Sequence, residues 1–191
     1  MARLSRAVFL DRDGTINREV NVLRSVRQLR LLPGAAWAIR SLNRRGFLVI
    51  VITNQPVIAR GWLTEEEVEE IHRVLARRLR RSGAVLDAVY SCPHHPKADR
   101  IAYRSRCRCR KPATGLITRA ARDFGIDLYR SFLVGDSTRD ILAGKRAGVG
   151  TVLVETGHGA KDGRYAVMPD RRSKDIRAAA RLIASLARSS R

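Results

Sequence analysis

Lysine is nearly missing from this 191-residue chain: of 38 basic residues only five are lysine, at positions 97, 111, 145, 161 and 174. Acids are few as well, 18, and the formal net charge is +20. Aromatic residues make up 5%. So few leave little for unpaired bases to stack on, and the arginines are scattered along the chain. The charge therefore reads as an arginine-rich soluble surface that favours small anionic substrates, and a nucleic-acid partner is not expected. Long apolar runs are absent too. None approaches the ~18 residues of a membrane span, so no membrane partner is expected. The run "AVFL" after the basic start stops at Asp11, too short for a signal peptide, which points to the cytoplasm. Cysteine is confined to one stretch, and an odd count of three argues against a secreted disulfide framework. No G-x-x-x-x-G-K-[ST] loop is present, which argues against ATP use. Neither an internal repeat nor a low-complexity linker breaks the chain, and its length fits a single domain over 1–191. A monomer is expected.

What is there is an alternation of apolar runs and helical patterns. "AVFL" (7–10) predicts a short buried strand. "PGAAWAIRSLNRRG" (33–46) predicts a helix between Pro33 and Gly46. "FLVIVITN" (47–54) predicts a central parallel strand, apolar on both faces. A helix over 64–83 opens on a capping box of Thr64 and Glu67 and ends on arginines. Strands over 86–91, 131–136 and 151–155 and helices over 114–125 and 138–148 follow. "GHGAKDG" (157–163) reads as a mobile loop. The arginine-rich end, 171–191, reads as a helix that frays, with Ile176, Ala180, Ile183 and Ala187 on one face. The pattern predicts an α/β fold, a Rossmann-like parallel sheet with helices on both faces.

In such sheets ligands bind beyond the carboxyl ends of the strands. The first strand is followed by Asp11 and Asp13 in "LDRDGT". The second ends on Thr53 and Asn54. The fourth is followed by Asp136, with Asp140 one helical turn on. Carboxylates at i and i+2 in extended chain point the same way and repel unless a cation or proton separates them. A hard cation with oxygen ligands, above all Mg²⁺, suits Asp11, Asp13 and Asp136. The pair alone also fits a strand followed by a polar turn bent at Gly14.

The three cysteines fall in the loop 92–109. Cys92-x-His94 and Cys107-x-Cys109 offer three thiolates and an imidazole, enough for a closed, structural zinc site. His95 is the weaker histidine, and the bland alternative is a set of unrelated buried cysteines. Lys111 follows two residues after Cys109. A loop pinned by zinc would present Arg110 and Lys111 accurately to a ligand.

Taken together, "DRDGT", "TN", the lysine of "RKP" and the late "GD…D" resemble the four signatures of the haloacid dehalogenase-like phosphatases. The loops "CPHHP…CRCRKP" and "TNQ…ARG" resemble those of the D-glycero-D-manno-heptose 1,7-bisphosphate phosphatases, whose zinc loop is shared by histidinol-phosphate phosphatases. The resemblance implies a sugar phosphate as substrate and aspartyl-phosphate chemistry. It implies Asp11 as nucleophile, Asp13 as acid and base, Thr53 and Lys111 holding the phosphoryl group, and Mg²⁺ on Asp11, Asp13 and Asp136. It further implies substrate contacts from Asn54, Gln55, Arg60, Arg110 and Ser137, the last standing where a long basic residue is common. Beside Asp11, Asp13 is expected to have a raised proton affinity. Between Thr53 and Lys111 lie 57 residues that hold a helix, a strand and the zinc loop, which leaves no room for a separate cap domain. Three alternatives stay open at this point: a histidinol-phosphate phosphatase, a polynucleotide 3′-phosphatase with the same aspartate pair, and a zinc-containing nucleic-acid-binding module without catalysis.

Overall fold

The first strand, β1 (Arg6–Leu10), has no polar face. Val8 and Leu10 pack to one side of it, Ala7 and Phe9 to the other. In β2 (Phe47–Asn54), Val49 and Val51 join the first group, and Ile50 and Ile52 the second. Strands apolar on both faces belong in the middle of a parallel sheet covered by helices. The structure, a computed structural model that describes residues 4–159 and 161–189, is such a sheet. Six parallel strands run in the order β3 (Ala88–Cys92), β2, β1, β4 (Phe132–Gly135), β5 (Gly150–Val154), β6 (Arg171–Ser173). The strand order reverses beside β1, between β2 and β4, and ligands bind at such a switch point. Leu10 pairs with both Val51 and Val134, so the ends of these three strands share one edge.

The helices are α1 (Ala35–Asn43), the single turn α2 (Pro56–Ala59), α3 (Glu65–Arg80), α4 (Gly115–Phe124), α5 (Thr138–Ala147) and α6 (Ile176–Ser189). Stripes from α1, α3 and α6 bury one face of the sheet, among them Ile39, Leu75 and Ile183. Leu116, Ile117 and Ala120 of α4 and Ala143 of α5 bury the other. Among the described residues no separate cap domain stands over the strand ends, and no helix is long and apolar enough to cross a membrane.

The elements lie close to their expected places. The capping box at Thr64 forms in full, a device worth about 1 kcal/mol. α1 begins two residues late because Gly34 takes a left-handed φ of 81°. The arginine-rich end departs further. Residues 171–173 are a strand, not helix, because β5 would otherwise leave an open edge, and α6 starts only after Asp175 accepts from the Ala178 N–H. The expected fraying at 190 and 191 lies outside the described residues. The loop 157–163, of which residue 160 is not described, is tied at both ends: His158 N–H donates to Asp136, and Asp162 accepts from Thr138.

Candidate active site

The shared edge gathers what the strands carry. Carboxylate oxygens of Asp11, Asp136 and Asp140 lie within 4.8 Å of one another. Lys111 Nζ sits 2.8 Å from Asp11 and 2.7 Å from Asp140, and donates to the Ile52 carbonyl at 2.8 Å. One ammonium does not offset three carboxylates. Burial pushes Asp11 up to about 6, with Asp140 and Asp13 adding to the rise and Lys111 opposing it. Burial, then Asp11 and Asp140, push Asp136 up to about 8. Oxygen ligands that repel one another in a partly closed site fit a hard divalent cation. The backbone approaches them closely. A Cβ on Gly14 or Gly157 would lie 2.2 or 2.1 Å from Asp136 Oδ2, and both glycines have positive φ.

Asp13 does not join this group. Its carboxylate accepts from Arg12 at 2.7 and 3.1 Å, from Asn17 at 2.8 Å and from Gln55 at 3.1 Å. Arg12 is buried, and His72 Nε2 and Gln55 Oε1 hold its other edge at 3.2 and 3.0 Å. Burial and then Arg12 lower His72 to about 3, so a neutral imidazole receives the guanidinium. Burial alone would raise Asp13, yet Arg12, Asn17 and Gln55 hold it below the usual carboxylate range. The expected rise in its proton affinity is therefore corrected: the adjacent arginine outweighs the adjacent aspartate. The carboxylate that stands with Asp11 and Asp136 is Asp140 rather than Asp13.

The four residues Cys92, His94, Cys107 and Cys109 also come together. Their sulfurs are 3.0, 3.1 and 3.4 Å apart, and His94 Nδ1 lies 3.4 Å from Cys109 and 3.8 Å from Cys92. With metal–sulfur bonds of about 2.3 Å, the edge of a tetrahedron is roughly 3.8 Å, so the donors need open only slightly to accept a metal. The hydrogen bond with Cys92, helped by those with Cys107 and His94, draws Cys109 down to about 5 against burial. His95 stays outside, accepting from the Lys97 N–H. Arg110 donates to the His94 carbonyl at 2.9 Å, and Asn54 clamps Lys111 through both backbone groups at 3.0 and 3.1 Å.

A cleft of about 240 Å³ opens above the carboxylates, and Thr53, Arg60 and Arg110 line it. Asn54 and Gln55 line it too, but their amides are engaged with Lys111 and with Thr53, Arg12 and Asp13. Ser137 is not in the wall. It is fully buried and its hydroxyl donates to Asp140 at 2.5 Å, so its expected substrate contact is corrected to a helix cap. The sequence reading missed Arg139 and Arg164, which do face the cleft. Nothing in the local sequence marks them among so many arginines.

A HAD-hydrolase-like family model matches residues 108–179. The chain is 44% identical over 143 residues to a D-glycero-beta-D-manno-heptose-1,7-bisphosphate 7-phosphatase of Rhodopseudomonas palustris, covering 75% of this chain and 79% of that protein. It is 41% identical over 181 residues to the D-glycero-D-manno-heptose-1,7-bisphosphate 7-phosphatase of Thermosynechococcus vestitus, covering 91% and 92%. Among solved structures, a D,D-heptose 1,7-bisphosphate phosphatase from B. bronchiseptica, complexed with magnesium and phosphate, superposes with a TM-score of 0.85 at 34% identity over 95% of this chain and 99% of that one.

Proposed function

The chain belongs to the haloacid dehalogenase-like family of heptose-bisphosphate phosphatases, and on that premise we propose that it removes the C7 phosphate of D-glycero-D-manno-heptose 1,7-bisphosphate and leaves the C1 phosphate in place. The observation that carries this reading is the convergence of Asp11, Asp136, Asp140 and Lys111 at the switch point of the sheet, beneath a cleft walled by arginines.

Asp11, Asp136 and Asp140 would hold Mg²⁺, which when bound neutralises charge on the transferring phosphoryl group. Asp11 is the nucleophile. Its side chain is 13% exposed, toward the cleft, and the Lys111 ammonium 2.8 Å away opposes the burial that favours its neutral form. A carboxylate oxygen forms a bond to phosphorus while the bond from phosphorus to the C7 oxygen breaks. Asp13 gives that oxygen its proton, then takes one from the water that cleaves the aspartyl-phosphate and frees inorganic phosphate. In the free site Asp13 is held as a carboxylate by Arg12, so the negative phosphate arriving beside it supplies the field that favours its protonation. Thr53 and Lys111 position the phosphoryl oxygens. Cys92, His94, Cys107 and Cys109 would hold a structural Zn²⁺, closed to substrate, that fixes the loop carrying Arg110 and Lys111.

The test is a panel of phosphate esters assayed with Mg²⁺: both anomers of the heptose bisphosphate, histidinol phosphate and a 3′-phosphorylated oligonucleotide. A heptose bisphosphate should lead in kcat/KM. A lead by either of the other two would replace the proposed sugar.

A further inference from the structure

The cleft carries more positive charge than its acids explain. Among the described residues four guanidiniums in its wall, those of Arg60, Arg110, Arg139 and Arg164, have no carboxylate within 4.0 Å. Arg60 lies over the Trp62 ring at 4.8 Å. The other three meet apart from it, where they also line an adjoining hollow with Arg106 and Tyr165. They arrive from three separate pieces of chain. Arg110 rides on the Cys/His loop, braced on the His94 carbonyl. Arg139 is the second residue of α5, and its Nε donates to Ser137 Oγ at 3.0 Å. Among the described residues no hydrogen bond fixes its two terminal amino groups. Arg164 follows Asp162, whose carboxylate fastens that segment to the start of α5 through the Thr138 N–H and hydroxyl, at 3.0 and 2.8 Å.

Like charges gathered on a half-buried wall repel unless an anion joins them. Arg139 directly precedes Asp140 on α5, so its guanidinium stands in the cleft wall beside the reacting centre. The planar fork of arginine suits two phosphate oxygens at once.

We propose that Arg139 and Arg164, together with Arg110, form a subsite for the second, unreacting phosphate of a sugar bisphosphate. This rests on the phosphatase reading above and deepens it. The two added residues set the preference for bisphosphates over monophosphates. α5 supplies the charge from Arg139 because Ser137, nearer the catalytic aspartate, is turned inward as its cap.

The experiment compares kcat/KM for heptose 1,7-bisphosphate and heptose 7-phosphate in the wild type, Arg139→Gln, Arg139→Lys, Arg164→Gln and the Arg139→Gln/Arg164→Gln double variant, each with Mg²⁺. The bisphosphate-to-monophosphate ratio should fall at least tenfold in the double variant, mainly through KM, with Arg139→Lys between wild type and Arg139→Gln. An unchanged ratio overturns the proposal, whatever happens to overall rate. Arg164 is exposed, so Arg164→Gln reports alone if the double variant melts early. If the wild type hydrolyses neither heptose ester, the sugar assignment fails, and the subsite is read separately. Fructose 1,6-bisphosphate and fructose 6-phosphate are then compared as competitive inhibitors of p-nitrophenyl phosphate hydrolysis. A bisphosphate preference that disappears in the double variant supports the subsite. No preference, or one that survives, overturns it.

Discussion

Arg12 holds both oxygens of Asp13, at 2.7 and 3.1 Å, from a position only 1% exposed. The residue proposed to give and take a proton is thus kept ionised by its sequence neighbour, and that neighbour is seated by His72 and Gln55. Arg12→Lys keeps the charge and loses the fork. It should lower kcat by roughly ten- to a hundredfold, part of the 10²–10⁴ that acid–base help typically supplies, with little change in Mg²⁺ affinity. The folded pKa of Asp13 lies below its unfolded value of 3.8, so the pair stabilises the fold above that pH and loses its effect as pH falls through the folded value. The acid-unfolding midpoint of Arg12→Lys should therefore move to higher pH. A variant that unfolds in acid like the wild type and turns over normally would show the grip to be idle.

Asp11→Asn should abolish turnover with the fold intact, because an amide does not attack phosphorus. The salt bridge to Lys111 becomes a neutral contact, and the repulsion with Asp136 and Asp140 is relieved, so the thermal midpoint should not drop. Near-normal hydrolysis by this variant would remove Asp11 from the nucleophile's role.

Asp11, Thr53 and Asp136 were legible in the sequence because each adjoins an apolar strand, and parallel register does the rest. The Cys/His loop was legible because its donors cluster along the chain. The partners of Asp13 were not. Arg12 is adjacent in sequence, but its burial depends on residues 43 and 60 positions away that meet it only in the folded core. Ser137 reads as a polar residue after the strand-end aspartate Asp136, and only its hydrogen bond to Asp140 turns it inward. β6 escaped notice because three residues, two of them exposed arginines, carry too little alternation to register as a strand. Apolar periodicity reports which face is buried. It does not report which distant side chain a charged group will find.

Magnesium should stabilise the protein more at high pH than at low. Asp11 and Asp136 have folded values near 6 and 8, above the ordinary 3.8. Raised values mean that the metal-free fold keeps their contribution below about pH 4 and loses it as pH rises through 6 to 8. A cation binds the ionised carboxylates and reverses that loss. At a hundred times the dissociation constant the gain is about 2.7 kcal/mol, on the order of 5–10 °C for a chain of this size. Melting with and without Mg²⁺ at pH 5 and pH 8.5 checks this. Equal shifts at both would mean that the three carboxylates are not where the cation sits.

Zinc should act through Arg110 and Lys111 rather than through chemistry. About one equivalent is expected to co-purify on Cys92, His94, Cys107 and Cys109. Cys109 is two residues from Lys111, and the His94 carbonyl braces Arg110, so releasing the metal loosens the segment that carries both cations. Cys107→Ser should therefore raise KM for the bisphosphate by at least tenfold. It should leave Mg²⁺ binding in place, because Asp11 and Asp136 follow β1 and β4 and Asp140 lies on α5, none of them on the Cys/His loop. Asn54 still clamps the Lys111 backbone in that variant, so Arg110 should move more than Lys111, and the loss should be larger for bisphosphate than for monophosphate substrates. Metal analysis of the purified protein, a Mg²⁺ titration of Cys107→Ser and its KM on both ester types decide the matter. Full activity in protein stripped of zinc would separate the thiol cluster from the cleft and leave the loop to be held by its hydrogen bonds alone.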